Sequence, residues 1–274
     1  MSIEDVRLPS VVEEETRQSL LLLEGLRPEV LTATSGVGEW TRRDLVAHVA
    51  GSARTYTGWI ERELDGITEP PPGRNFVRGQ AATDAIAARV SSTGEAFPEG
   101  PVEALTGLSA GLATILAQLG TEDYFRPVFH PTGVTTIRNL VRFRVAELAL
   151  HRWDMENGLG RDAHLSEIAV EVLYDWSIHW LEICFAPAEA GAPIVVYHFD
   201  IEGQPGLKVA VLPDEVFFDE VELVVGPTFV LDAEMYVLFV AGRVSYDDAV
   251  ASGRMRVEGD ELAARSFRER FPAL

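Results

Sequence analysis

The sequence predicts an α+β protein: an N-terminal four-helix bundle followed by a smaller α/β domain. Residues 11–185 fall into long helix-forming stretches interrupted by Gly- and Pro-containing breaks. After "APAEAGAP" the texture changes to short runs rich in Val, Ile, Phe and Tyr, the composition of strands. The chain has 274 residues, 47% of them hydrophobic, which suffices for one large core or two ordinary ones and argues against general disorder.

The first helix is predicted over 11–27, "VVEEETRQSLLLLEGLR", where acidic residues at the start suit the helix dipole. "ATSGVGEW" breaks it. A long second helix follows in "TRRDLVAHVAGSARTYTGWIERELDG", with Thr41 and Asp44 spaced as a capping box and Gly66 as its stop. "PPPGRN" at 70–75 is a loop. Helical pattern returns near 80 in "AATDAIAARVSS" and, after a break, in "VEALTGLSAGLATILAQLG" at 102–120, as two helices or one interrupted member of the bundle. Residues 121–134 are expected to be a loop through Pro127 and Pro131. Helices are predicted over 135–157 and 165–185.

The domain boundary is expected near 190, giving domains 1–189 and 190–274. Beyond it, "IVVYHFDIEG", "LKVAVLP" and "EVFFDEVELVVG" are predicted as β-rich runs. Asp232 caps a helix through "AEMYVLFVAG". "SYDDAVAS" is a short helix, "GRMRVEGD" a strand and turn, and "ELAARSFRERF" a final helix.

Charge and composition narrow the function. The net charge is −20, and residues 161–240 hold 2 basic against 15 acidic groups, so no basic block could neutralise a run of phosphates. Nucleic-acid binding is therefore not expected. "SLLLLEGL" is too short for a signal peptide core or a membrane span, so the cytoplasm is the expected location and no membrane partner is expected. Cys184, the single cysteine, sits in apolar "WLEICFAP" and reads as a buried small hydrophobe, not as a thiol nucleophile. No Gly-rich phosphate loop follows a strand.

The chemistry-bearing stretch is "VRFRVAELALHRWDMENG". On a helix, residues three and four apart share a face, so Arg144, Glu147, His151 and Asp154 line up. A carboxylate and an imidazole one turn apart can grip a divalent ion, and His48 in "DLVAHVAG" is the best third donor, with Ala47, Ala50 and Gly51 leaving room beside it. Asp44, Arg144 and Asp154 are candidates to support such ligands. The same spacing also describes an ordinary solvated pair, and the residues alone leave both readings open. His130, in "PVFHPTG", is a candidate at the bundle mouth. His164, His179 and His198 fit surface or packing roles.

Two stretches resemble a known family. "GEWTRRDLVAHVAG" and "RFRVAELALHRWDM" resemble the metal-binding motifs of the DinB-like, mycothiol-dependent maleylpyruvate isomerases. "DAVASGRMRVEGDELAARSFRERF" resembles the end of the sterol-carrier-like domain fused to such bundles. The resemblance implies a metal site of His48, Glu147 and His151, holding zinc or another divalent ion, with mycothiol as co-substrate. It implies that a metal-activated thiolate adds to a cis double bond, that rotation occurs about the resulting single bond, and that elimination of the thiol re-forms the double bond as trans. Arginines would hold substrate carboxylates. Arg144, Asp154 and Arg254 are then the catalytic candidates, with Arg243 and Arg256 beside Arg254, and His130 and Arg78 are candidates for binding the co-substrate. The reaction implied is isomerisation or thiol transfer on a small electrophile. The alternative is a non-catalytic carrier of a small apolar ligand. A third reading, a structural bundle that forms a homodimer, would leave His48 far from Glu147.

Overall fold

The computed structural model describes residues 3–67, 69–77, 97, 100–219 and 226–272. The helix expected near 80 and the candidate Arg78 lie outside them. The chain divides into two compact units after Val172.

The first unit is a four-helix bundle. α1 runs Ile3–Glu24, so the helix begins earlier than expected and passes through Pro9. Leu8, Val11, Val12, Leu22 and Leu23 are all buried, and this stripe extends the core face past the proline. A short α2, Pro28–Leu31, leads to α3, Arg42–Leu64. α3 starts as the sequence predicts. The Thr41 side chain accepts from the Asp44 backbone, and the Asp44 carboxylate takes the Thr41 N–H at 3.0 Å. Its end is marked by Gly66 at φ 78°, a left-handed conformation that glycine adopts without strain. α4, Pro101–Leu116, packs on α3, and α5, Ile137–Gly158, packs on α1 and α3.

Residues 121–134 are not the simple loop expected. A 3₁₀ turn over Thr121–Phe125 leads into an antiparallel hairpin of β1, Pro127–His130, and β2, Gly133–Thr136. Val128, Phe129, Val134, Thr135 and Thr136 have the β-branched and aromatic character that strands favour. Pro127 takes the first strand position, where its missing N–H is tolerated. Thr136 then caps α5 by accepting from the Asn139 N–H.

Buried polar ties fix the helices against each other. Glu15 of α1 is 0% exposed and accepts from Arg152 of α5 and from Ser166. Arg42 of α3 donates to the carbonyls of Val30 and, at 2.5 Å, Gly158 at the end of α5. Gly158 also lies against Ser35, where an added Cβ would come within 2.5 Å of the Ser35 carbonyl oxygen. This close approach holds the loop that carries Trp40 against the end of α5.

α6, Glu167–Cys184, contains the division between the units. The second unit holds a five-stranded sheet of order β5-β4-β3-β6-β7. Its strands are β3 (Val195–Ile201), β4 (Leu207–Val211), β5 (Val216–Phe218), β6 (Thr228–Leu231) and β7 (Met255–Glu258). β3 and β6 pair in parallel and the other neighbours are antiparallel. β6 was not expected as a strand. It is only four residues long and runs directly into Asp232, the N-cap of α7 (Ala233–Val240), so its local signal is slight.

α8 spans Tyr246–Ala251 as predicted. The final helix is broken at Ser266 into α9 (Glu261–Arg265) and α10 (Phe267–Arg270). Phe199, Phe229, Tyr236, Phe239 and Phe267 form the aromatic core, with Phe199 stacked on Phe229 at 4.9 Å. No helix among the described residues is long and apolar enough to cross a membrane.

Thr41→Ala removes half of the capping box while leaving the core intact. It is expected to lower stability by about 1 kcal/mol, read as a lower urea midpoint with an unchanged m-value.

Candidate metal centre

The centre lies where α3 faces α5. His48, Ser52 and Tyr56 sit at successive steps of four on α3, and Arg144, Glu147, His151 and Asp154 share one face of α5. Both imidazoles converge on a single carboxylate oxygen. Glu147 Oε2 lies 2.8 Å from His48 Nε2 and 3.4 Å from His151 Nε2. One donor atom from each of these three residues lies within 4.8 Å of the others. The two rings meet edge to face with centroids 5.0 Å apart.

His151 and Glu147 each have a partner that aims them. Asp154, 5% exposed at its side chain, lies with Oδ2 2.8 Å from His151 Nδ1. An N–H on Nδ1 directed at Asp154 sets the ring so that Nε2 faces Glu147, donating to it when the imidazole is protonated and offering a lone pair when it is not. Tyr56 donates its hydroxyl to the other oxygen of Glu147, Oε1, at 3.2 Å. Trp40 packs its ring 5.2 Å from that of His48 and 6.5 Å from that of His151, covering one side of the pair. His151 also borders an apolar cleft lined by Leu22, Leu23, Leu45, Val49, Leu148 and Met155. In such surroundings a charge must be paired.

The electrostatics follow from this pairing. Burial works to raise the Glu147 pKa, but the charge of His48 and the hydrogen bonds from His151 and His48 override it and hold the carboxyl well below its usual range. Burial works to lower the His151 pKa, and the hydrogen bonds to Asp154 and Glu147 reverse that, leaving it raised. Two imidazole nitrogens and an ionised carboxylate, with a carboxylate fixing one tautomer, are a donor set that suits a divalent ion and leaves positions open to other ligands.

Arg144 is held in the bundle interior by three hydrogen bonds. It is 1% exposed, and its guanidinium donates to the Val49 carbonyl at 2.8 Å, the Ser52 hydroxyl at 2.7 Å and the Ser109 hydroxyl at 3.0 Å. It ties α3, α4 and α5 together one turn from Glu147, and burial lowers its pKa to about 10. Asp44 is engaged in the capping box.

His130, 8% exposed, stacks on Phe143 at 4.0 Å with its Nδ1 2.7 Å from the Thr132 hydroxyl. Trp59 lies between it and the centre, edge-on to the His130 ring at 5.8 Å and 5.5 Å from the Tyr56 ring.

Arg254 belongs to the second unit, where Asp232 takes two of its N–H groups at 2.9 and 2.7 Å and Glu234 accepts at 2.8 Å. Arg243 donates to the Ala241 carbonyl and Arg256 to Glu258. Cys184 is buried, and burial pushes its thiol up to about 12. Tyr56 was absent from the residues that the sequence singled out. The spacing of His48, Ser52 and Tyr56 is the signal that could have found Tyr56.

Residues 12–156 match the family described as the mycothiol maleylpyruvate isomerase N-terminal domain. The fold is similar to that of the mycothiol-dependent maleylpyruvate isomerase, with a TM-score of 0.60 and 15% identity over 88% of this chain and 90% of that one. It is likewise similar to a histidine-to-alanine mutant of the mycothiol-dependent maleylpyruvate isomerase, with a TM-score of 0.62 and 15% identity over 93% and 92% of the two chains. At that identity the likeness is one of fold. No curated protein sequence matches the chain.

Two outcomes are expected of variants. Arg144→Met breaks a buried charged tie and should cost roughly 3 kcal/mol in urea unfolding. In the metal-free protein, His151 binds its proton more tightly folded than unfolded. Its contribution is full below its ordinary value of 6.5 and is lost as pH rises through the raised folded value. Asp154→Asn should flatten this fall in urea midpoint between neutral and alkaline pH.

Proposed function

The chain belongs to the mycothiol maleylpyruvate isomerase N-terminal domain family, and on that premise we propose that it is a divalent-metal-dependent enzyme using a low-molecular-weight thiol. Mycothiol is the leading thiol, and the reaction is isomerisation or thiol transfer on a small electrophile. The observation that carries this reading is the convergence of His48 and His151 on Glu147 Oε2.

His48, Glu147 and His151 would hold the ion, with zinc first among candidates for a two-histidine, one-carboxylate set. When bound, such an ion lowers the pKa of a coordinated thiol and so supplies a thiolate near neutral pH. The chain's own residues prepare the place for it. Glu147 stays ionised, Asp154 orients His151, and Trp40 shields the imidazoles from solvent on one side. Cys184, buried with its pKa pushed up to about 12, is unsuited to act as the nucleophile, which favours a thiol supplied from outside. A reduced thiol pool makes the cytoplasm the proposed compartment.

Elemental analysis of the wild type and of a His48→Ala, Glu147→Ala double variant tests the metal reading. About one equivalent of zinc or a similar ion is expected in the wild type and none in the variant. Assays of the loaded wild type with low-molecular-weight thiols and unsaturated electrophiles should then show turnover that requires both metal and thiol. A wild type that takes up no ion after incubation with divalent metals would overturn the proposal.

A further inference from the structure

Glu147 presents its two oxygens to different neighbours. Oε2 faces His48 Nε2 and His151 Nε2, while Oε1 accepts the Tyr56 hydroxyl at 3.2 Å. Tyr56 is 6% exposed, and its place is set from outside the centre. Its ring packs at 5.5 Å on Trp59, itself 6% exposed, and Trp59 rests edge-on against Phe129 at 5.3 Å. The phenol is thus fixed by an aromatic stack anchored on α3 and the hairpin, and its hydroxyl is aimed before any ion arrives.

We infer that Tyr56 is a positioning residue that holds Glu147 Oε1, so that only Oε2 is offered to the ion. The inference rests on the metal reading proposed above and deepens it. Chelation by both oxygens would make Oε1 share its electron density between the ion and the Tyr56 hydroxyl, and would occupy a further coordination position. Holding Oε1 keeps the carboxylate to one ligand atom and leaves those positions for a thiol or substrate. It also fixes a ligand that has a free rotation about its last side-chain torsion, in the way that outer partners of metal ligands usually act.

Cobalt(II) binding to the wild type and Tyr56→Phe tests this, because the phenylalanine keeps the ring packing and removes only the hydroxyl. The variant is expected to bind cobalt about tenfold more weakly in chelator competition. Its visible d–d band should lose intensity as the coordination number rises, and the urea midpoint of the metal-free protein should stay near the wild-type value. Equal affinity and an unchanged band would overturn the inference, as would a fall in metal-free stability with the band unaltered.

X-ray absorption of the zinc-loaded wild type gives a second readout that does not need the variant to fold. Scattering from a one-oxygen carboxylate supports the role of Tyr56, and the short metal–carbon signal of a chelating carboxylate overturns it while leaving the metal reading intact. A wild type that binds neither metal overturns both.

Discussion

Arg144 occupies the interior of the bundle, with its guanidinium spread over a carbonyl and a hydroxyl of α3 and a hydroxyl of α4. Its fork of donors is rigid, so these three bonds fix both the rotation of α5 and its axial position against α3. Glu147 and His151 lie one and two turns further along α5, and His48 lies one turn before Ser52 on α3. The approach of His48 to Glu147 therefore depends on where Arg144 holds the two helices. The tie has a cost, because burying a guanidinium is unfavourable and is offset only when its hydrogen bonds are made.

The centre itself places charge where the surroundings are apolar. Glu147, His151 and Asp154 form an alternating set in which each group compensates the desolvation of the next. Such a set is well suited to exchange a proton for a divalent ion. The imidazole Nε2 atoms point to one oxygen, and Asp154 and Tyr56 hold the far sides of His151 and Glu147. Little reorganisation would then be required of the proposed metal centre on binding.

The sequence was most legible where structure is local. The Thr41–Asp44 capping box, the Asp232 cap and the Gly66 stop each depend on residues within three or four positions, and all three form as read. The β1–β2 hairpin and β6 were less legible. Four-residue strands carry almost no period-two pattern, and their pairing partners supply the order. The same limit applied to Arg254, whose engagement by Asp232 spans 22 positions, and to Tyr56, whose carboxylate partner is 91 positions away.

By itself, the sequence determined which side chains share a face of α5, because helical period follows from backbone hydrogen bonds four residues long. That placed Arg144, Glu147, His151 and Asp154 in line and made a two-residue grip on an ion legible. Only the tertiary structure decided that His48, 99 positions from Glu147, completes the cluster, that Tyr56 takes the second carboxylate oxygen, and that Arg144 faces inward as a tie. The relative rotation and shift of two helices are set by side-chain packing and buried hydrogen bonds between distant segments, and no local pattern encodes them.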